Sequence, residues 1–176
     1  MRLDPIVIVP YDPAWATSFD VERDRVHGAL GDLVVRPVEH IGSTAVPGLA
    51  AKPIIDMLAV VADIDEAHGA IARLQTVEWI HAPEPTDAID RSLSFCTPSI
   101  ARRTHHLHVV EDGSDDWRGW LAFRDHLRTH PDVAQEYAAL KTDLAARHGT
   151  NPNERDAYRG GKADFIVGVI KRARMG

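Results

Sequence analysis

Apolar residues recur at two different spacings along this chain, and the change from one to the other divides it. Residues 6–9 read as a short strand, and the Tyr11-Asp12-Pro13 turn then opens a helix to about Leu30, with Pro13 favourably near its first turn. A second strand is predicted over about 33–41. After a polar, Gly-rich connection at 42–52, the run 53–61 is dense in Ile, Leu and Val and reads as a buried strand. Asp63 or Asp65 is placed to cap a helix to about Gln75, and weaker strand signals follow at 79–82 and 91–97. Residues 105–110 alternate and stop at the turn Glu111-Asp112-Gly113-Ser114, so 91–110 predicts a hairpin. Beyond this point the spacing is helical. Trp117, Trp120, Leu121 and Leu127 form one stripe, Val133, Tyr137, Leu140 and Leu144 a second, and Phe165, Ile166, Val169 and Ile170 a third. Gly149 and the Asn151-Pro152-Asn153 group separate the last two. Strands early and helices late favour an α+β fold with a mixed or antiparallel sheet over a strictly alternating α/β one.

Composition narrows the class. The 176 residues, 44% hydrophobic and 26% charged, fit one globular domain. Within it, 1–113 is expected to hold the sheet and 114–176 the helical part. Twenty Lys and Arg against 26 Asp and Glu give a net charge of -6, so no general positive field draws in nucleic acid. The N-terminal residues carry an acidic group and two prolines where a signal peptide needs an apolar run, and 45–61 is interrupted by Pro47, Gly48, Lys52, Pro53 and Asp56. The expectation is a cytoplasmic protein with neither a membrane nor a nucleic-acid partner. Cys96 is the single cysteine, reads as structural, and allows no intrachain disulfide.

Candidate chemistry concentrates between His40 and Asp56. A strand ending at Gly42-Ser43 exposes backbone N–H groups and a hydroxyl to phosphate oxygens, and Lys52 adds charge. Gly-Ser by itself is an ordinary turn. Asp56 is less ordinary, because a carboxylate inside an apolar strand needs a metal or a cation, for which Lys52 and His40 are candidates.

With Glu39-His40-Ile41-Gly42-Ser43-Thr44 and Lys52-Pro53-Ile54-Ile55-Asp56, the segment resembles the signature of the GrpB family, assigned to the nucleotidyltransferase superfamily. The resemblance covers nearly the whole chain. It includes Val9-Pro10-Tyr11-Asp12-Pro13 with Trp15 and Phe19, Arg103 with His106-Leu107-His108, and Phe123-Arg124, Tyr137, Lys141, Tyr158 and Lys162 in the helical third. It implies a nucleotidyltransferase-like sheet with a C-terminal helical subdomain, and a nucleotide or another phosphorylated small molecule as ligand. Related domains fused to dephospho-coenzyme A kinase suggest a coenzyme A setting, although this chain has no Walker-type kinase motif.

Active members of that superfamily carry two carboxylates at i and i+2 on one strand, a spacing that puts both on one face to hold two metal ions. Here Asp56 is followed at i+2 by Leu58, which offers no oxygen. His106 and His108 share a face on the strand where a third carboxylate is expected. One Asp with two imidazoles suits Zn²⁺, Mn²⁺ or Fe²⁺ better than Mg²⁺, and neutral imidazoles also serve as acid and base. His105 is expected to point away. Arg124, Lys141 and Lys162 edge apolar helical stripes, a position that suits either cations reaching past the core into water or an anion pocket.

Three functions compete on these residues. The first is nucleotidyl transfer to an unknown small acceptor, with Gly42, Ser43, Lys52, Arg124, Lys141 and Lys162 on phosphates and acceptor, Asp56, His106 and His108 catalytic, and Asp56 and His108 on a divalent metal (Mg, Mn or Zn). The second is a noncatalytic nucleotide- or coenzyme A-related binding module, and the third a metal-dependent hydrolase.

Overall fold

A computed structural model of the chain describes residues 5–85 and 87–175, so the charged start of the chain lies outside the described residues. The elements run α1 (Ala14–Leu30), β1 (Glu39–Ile41), β2 (Ile55–Val61), α2 (Gly69–Gln75), β3 (Ile80–His81), α3 (Asp87–Asp90), β4 (Ser92–Pro98), β5 (Arg103–Glu111), α4 (Asp115–Thr129), α5 (Pro131–His148), α6 (Arg155–Gly160) and α7 (Ala163–Ala173). The strands form one mixed sheet in the order β1-β2-β5-β4-β3, in which β2 and β5 are parallel and the other pairs antiparallel.

The apolar run 57–61 of β2 follows from its interior place between β1 and β5, where both faces are covered. Ile55, Met57, Ala59 and Val61 join Leu107 and Val109 of β5 in a core closed by α1 and α2 through Phe19, Val26, Leu30 and Leu74. Leu58, Val60 and Val110 face the other way, against Trp117, Trp120 and Leu121 of α4. Ser114 accepts from the Trp117 amide and so caps α4, whose first turn carries Asp115 and Asp116 beside the positive end of the helix dipole. A third cluster ties the helices to the connection after β1, with Val46 and Leu49 meeting Phe123, Leu127, Tyr137 and Val169.

The α+β expectation holds, and the sheet is mixed. The predicted 91–110 hairpin is β4 and β5, with Ser92 opposite Val110 and Cys96 opposite His106. Two predicted strands shrink. Residues 6–9 divide their hydrogen bonds between partners, Ile6 N–H to the Gly149 carbonyl and Val9 to Ala51 in a single bridge, so no ladder forms. Within 33–41, Val35 N–H reaches the Val60 carbonyl, but Pro37 has no N–H to continue the ladder, and regular pairing starts only at Glu39. Gly149 and Pro152 separate α5 from α6, and the predicted last helix is divided at Gly161.

Candidate functional site

The α4 cover stops short of the start of β2 and β5, and there a cavity of about 590 Å³ opens between the sheet and the helical part. The parallel register sets Asp56 beside His106 and Leu58 beside His108. Asp56 and His106 thus project from the same face as Leu58 and Val60, at the level where apolar packing gives way to the cavity.

Asp56 Oδ1 lies 3.6 Å from His106 Nδ1. The His106 and His108 rings are 4.1 Å apart, and His108 rests edge-on against Trp120 at 4.2 Å. Ligand atoms of Asp56, His106 and His108 all fall within 4.8 Å of one another. Ligand atoms around one transition-metal ion at about 2.1 Å lie roughly 3–4 Å apart, so small side-chain rotations complete the set. His106 Nε2 is buried without a hydrogen-bond partner, and burial beside His106, Arg103 and Arg159 holds the His108 imidazole neutral. Two imidazoles with one carboxylate form a donor set that fits Zn²⁺ or Mn²⁺.

Gly42 allows the carboxylate to sit where it does. Its φ of +69° lies in the left-handed region, and a Cβ there would be 2.6 Å from Asp56 Oδ2. The connection then turns so that Ser43 faces α5. Lys141 Nζ donates to Ser43 Oγ at 2.9 Å and to the Ala50 carbonyl at 2.6 Å, over the Tyr137 ring at 4.6 Å. Burial brings Lys141 down to about 7, helped by Lys162 and opposed by Asp56. Lys162 lies 4.5 Å from the Tyr158 ring and is lowered by burial and by Arg159, again against Asp56. Both lysines therefore sit four residues after a tyrosine and against its ring, and both feel the Asp56 field across the cavity. Lys52 lines the same cavity.

Arg124 is placed differently. It is 7% exposed, as its stripe predicts, but it is not among the residues lining the cavity. Its Nη1 donates to Glu39 Oε2 at 2.6 Å and to the His40 carbonyl at 3.0 Å, and its Nε to Asp125 at 2.7 Å. It fastens α4 to β1. His40 stacks on Phe19 at 4.7 Å and bonds Thr44 Oγ1 at 3.0 Å, and burial takes it down to about 4. His105 turns to the opposite face as expected, 6.3 Å from the Trp79 ring. Cys96 is buried.

Glu84 escaped the sequence reading. It reaches the cavity from the connection between β3 and α3, where Arg103 bonds Oε1 at 2.7 Å and Arg159 bonds Oε2 at 3.0 Å. Its Oε1 is 4.0 Å from His106 Nε2. Burial raises its pKa, but the two arginines outweigh this and leave it below the ordinary carboxylate range. Pro83 and Pro85 on either side hide it from any periodicity.

Residues 5–172 match the family described as GrpB protein. The UPF0157 protein YqkA of Bacillus subtilis is 37% identical over 96% of this chain, which spans only 47% of that relative's length. A UPF0157 protein of Pseudomonas aeruginosa is also 37% identical, over 97% of this chain and 68% of its own length. The crystal structure of conserved protein GrpB from Enterococcus faecalis superposes with a TM-score of 0.82 at 33% identity, covering 95% of this chain and 96% of that one.

Proposed function

We propose, from the premise that this chain belongs to the GrpB family, that its cleft binds a nucleoside triphosphate through one divalent metal ion and passes the nucleotidyl group to a small acceptor. One observation carries the reading: a metal-competent Asp56–His106–His108 set, the buried Lys141 and the half-buried Lys162 face a single cavity. Asp56 and His108 would hold the ion, which when bound would supply charge stabilisation on the phosphates. Ser43, Lys52, Lys141 and Lys162 meet the phosphate oxygens, and the Gly42 turn leaves the backbone room to approach them. His106, next to Asp56 and within reach of Glu84, is placed to take the acceptor's proton. In the net reaction the Pα–O bond to pyrophosphate is broken and the acceptor oxygen ends bonded to Pα.

The test is metal-dependent pyrophosphate release from the four nucleoside triphosphates, offered with a panel of small hydroxyl and amine acceptors. Asp56→Asn should bind metal at least tenfold more weakly and release no pyrophosphate. Release unchanged in Asp56→Asn would reject the assignment.

Leu58 favours a second reading. It is fully buried among Ile41, Val60 and Trp117, where a second metal carboxylate cannot stand. A site confined to one ion also suits a module that binds a nucleotide or a coenzyme A-type ligand without turnover. Calorimetry followed by recovery of intact ligand distinguishes it from the transferase.

A further inference from the structure

We propose that Ser43 is a nucleophile and Lys141 its base, a serine–lysine pair that attacks phosphorus in the ligand's phosphoanhydride. The two side chains are 98 positions apart in sequence and come from different elements, the connection after β1 and helix α5, yet Nζ and Oγ are 2.9 Å from each other. Ser43 is half-buried and lines the cavity, whereas Lys141 is 3% exposed. A lysine that only binds phosphate keeps its ammonium toward the ligand. This one donates one N–H to the Ala50 carbonyl at 2.6 Å and another to Ser43 Oγ, and once it has lost a proton the Nζ lone pair can accept from the serine hydroxyl across the same contact.

Electrostatics agree with that geometry. Burial and Lys162 bring Lys141 to about 7 while Asp56 opposes them, and Lys52 borders the same space. Tyr137 beneath it is held protonated by burial, and its side chain also hydrogen-bonds Ser43. Near neutral pH the amine therefore visits its unprotonated form, which accepts a proton, at modest cost.

In the step itself the Ser43 Oγ–P bond forms and the P–O bond to the leaving phosphate or pyrophosphate breaks. The leaving group takes that electron pair, and the serine proton moves to Lys141 Nζ, from which it is lost to solvent. Attack by an acceptor hydroxyl, whose proton passes to His106 and then to solvent, on the same phosphorus then breaks the Oγ–P bond, and Lys141, reprotonated from solvent, returns a proton to Oγ. The choice of a phosphorus electrophile rests on the reading of the cleft as a phosphorylated-ligand site, but the pair can be tested without any nucleotide.

The experiment treats the full chain with an alkyl fluorophosphonate and maps the adduct by peptide mass spectrometry. One adduct is expected, on Ser43, with fluoride released, and its rate should rise with pH and level off above about 7. Ser43→Ala should give none. Lys141→Arg keeps the charge but stays protonated, and should label at least tenfold more slowly while melting within a few degrees of wild type. No adduct at Ser43 in the wild type, or a wild-type rate that climbs unabated to pH 9, overturns the proposal even if the arginine variant fails to fold. Labelling of Ser43 without nucleotide binding upholds the pair and rejects the nucleotide reading alone.

Discussion

Two glycines separate the cost of an unusual backbone from the cost of crowding the site. Gly42 and Gly48 have φ of +69° and +79°, but a Cβ at Gly48 meets nothing within 4 Å, whereas one at Gly42 meets Asp56. Gly48→Ala should lose ~1–2 kcal/mol by urea unfolding, the cost of the left-handed conformation alone. Gly42→Ala should lose visibly more, and adding Asp56→Ala should recover the excess. Equal losses in the two single variants would show that the carboxylate sits elsewhere. His40 gives the fold a pH signature. Its folded value, about 4, lies below the ordinary 6.5 because the ring is buried. The unfolded chain therefore binds more protons between those values, and this contribution to stability is present above about 6.5 and lost as pH falls toward 4. At ~1.4 kcal/mol per unit the ceiling is ~3 kcal/mol. Urea midpoints at pH 7 and pH 4.5 should differ more in the wild type than in His40→Gln.

Among the elements, α4 shows how a cation that looks functional serves the scaffold. Arg124 joins the helix to Glu39 and the His40 carbonyl, so Arg124→Met should cost ~2–4 kcal/mol, much of it from the carboxylate and carbonyl left without their donor. Metal affinity measured on the folded variant should stay within about twofold of wild type if the arginine acts only on the fold. The same helix marks how far sequence can be read. Its apolar stripe and the long run of β2 were legible because each satisfies one period over many residues. The stripe placed Arg124 inside but could not name its partner, which lies 85 positions away. The alternation of His106 and His108 was legible too, as was the Tyr-x-x-x-Lys spacing at 137–141. Glu84 was not, because a residue in an irregular connection reaches the cleft through the path of the whole chain and leaves no local pattern. The segment 33–38 misled for the converse reason, since its apolar residues suit a strand but Pro37 cannot pair as one.

For the molecule as a whole, a ligand that bridges the sheet and the helical part should stabilise both together. A nucleoside triphosphate with Mn²⁺ at about 100 times its Kd should add ~2.7 kcal/mol, a rise of roughly 5–10 °C in Tm for a chain of this size. Asp56→Asn should show little of that rise. If the two proteins respond alike, the ion is not held at the start of β2. The parallel pairing of β2 with β5 has a further consequence, for timing. Asp56 and His106 are direct neighbours on the sheet, but the chain between them must pass through α2, β3, α3 and β4 before β5 can be laid against β2. Closing so long a loop is slow compared with forming a helix or a hairpin. On a ribosome, the proposed metal ligands cannot meet until the second histidine has emerged. Acquisition of the ion would therefore report a late stage of folding, after the local helices and the β4–β5 hairpin have had time to form.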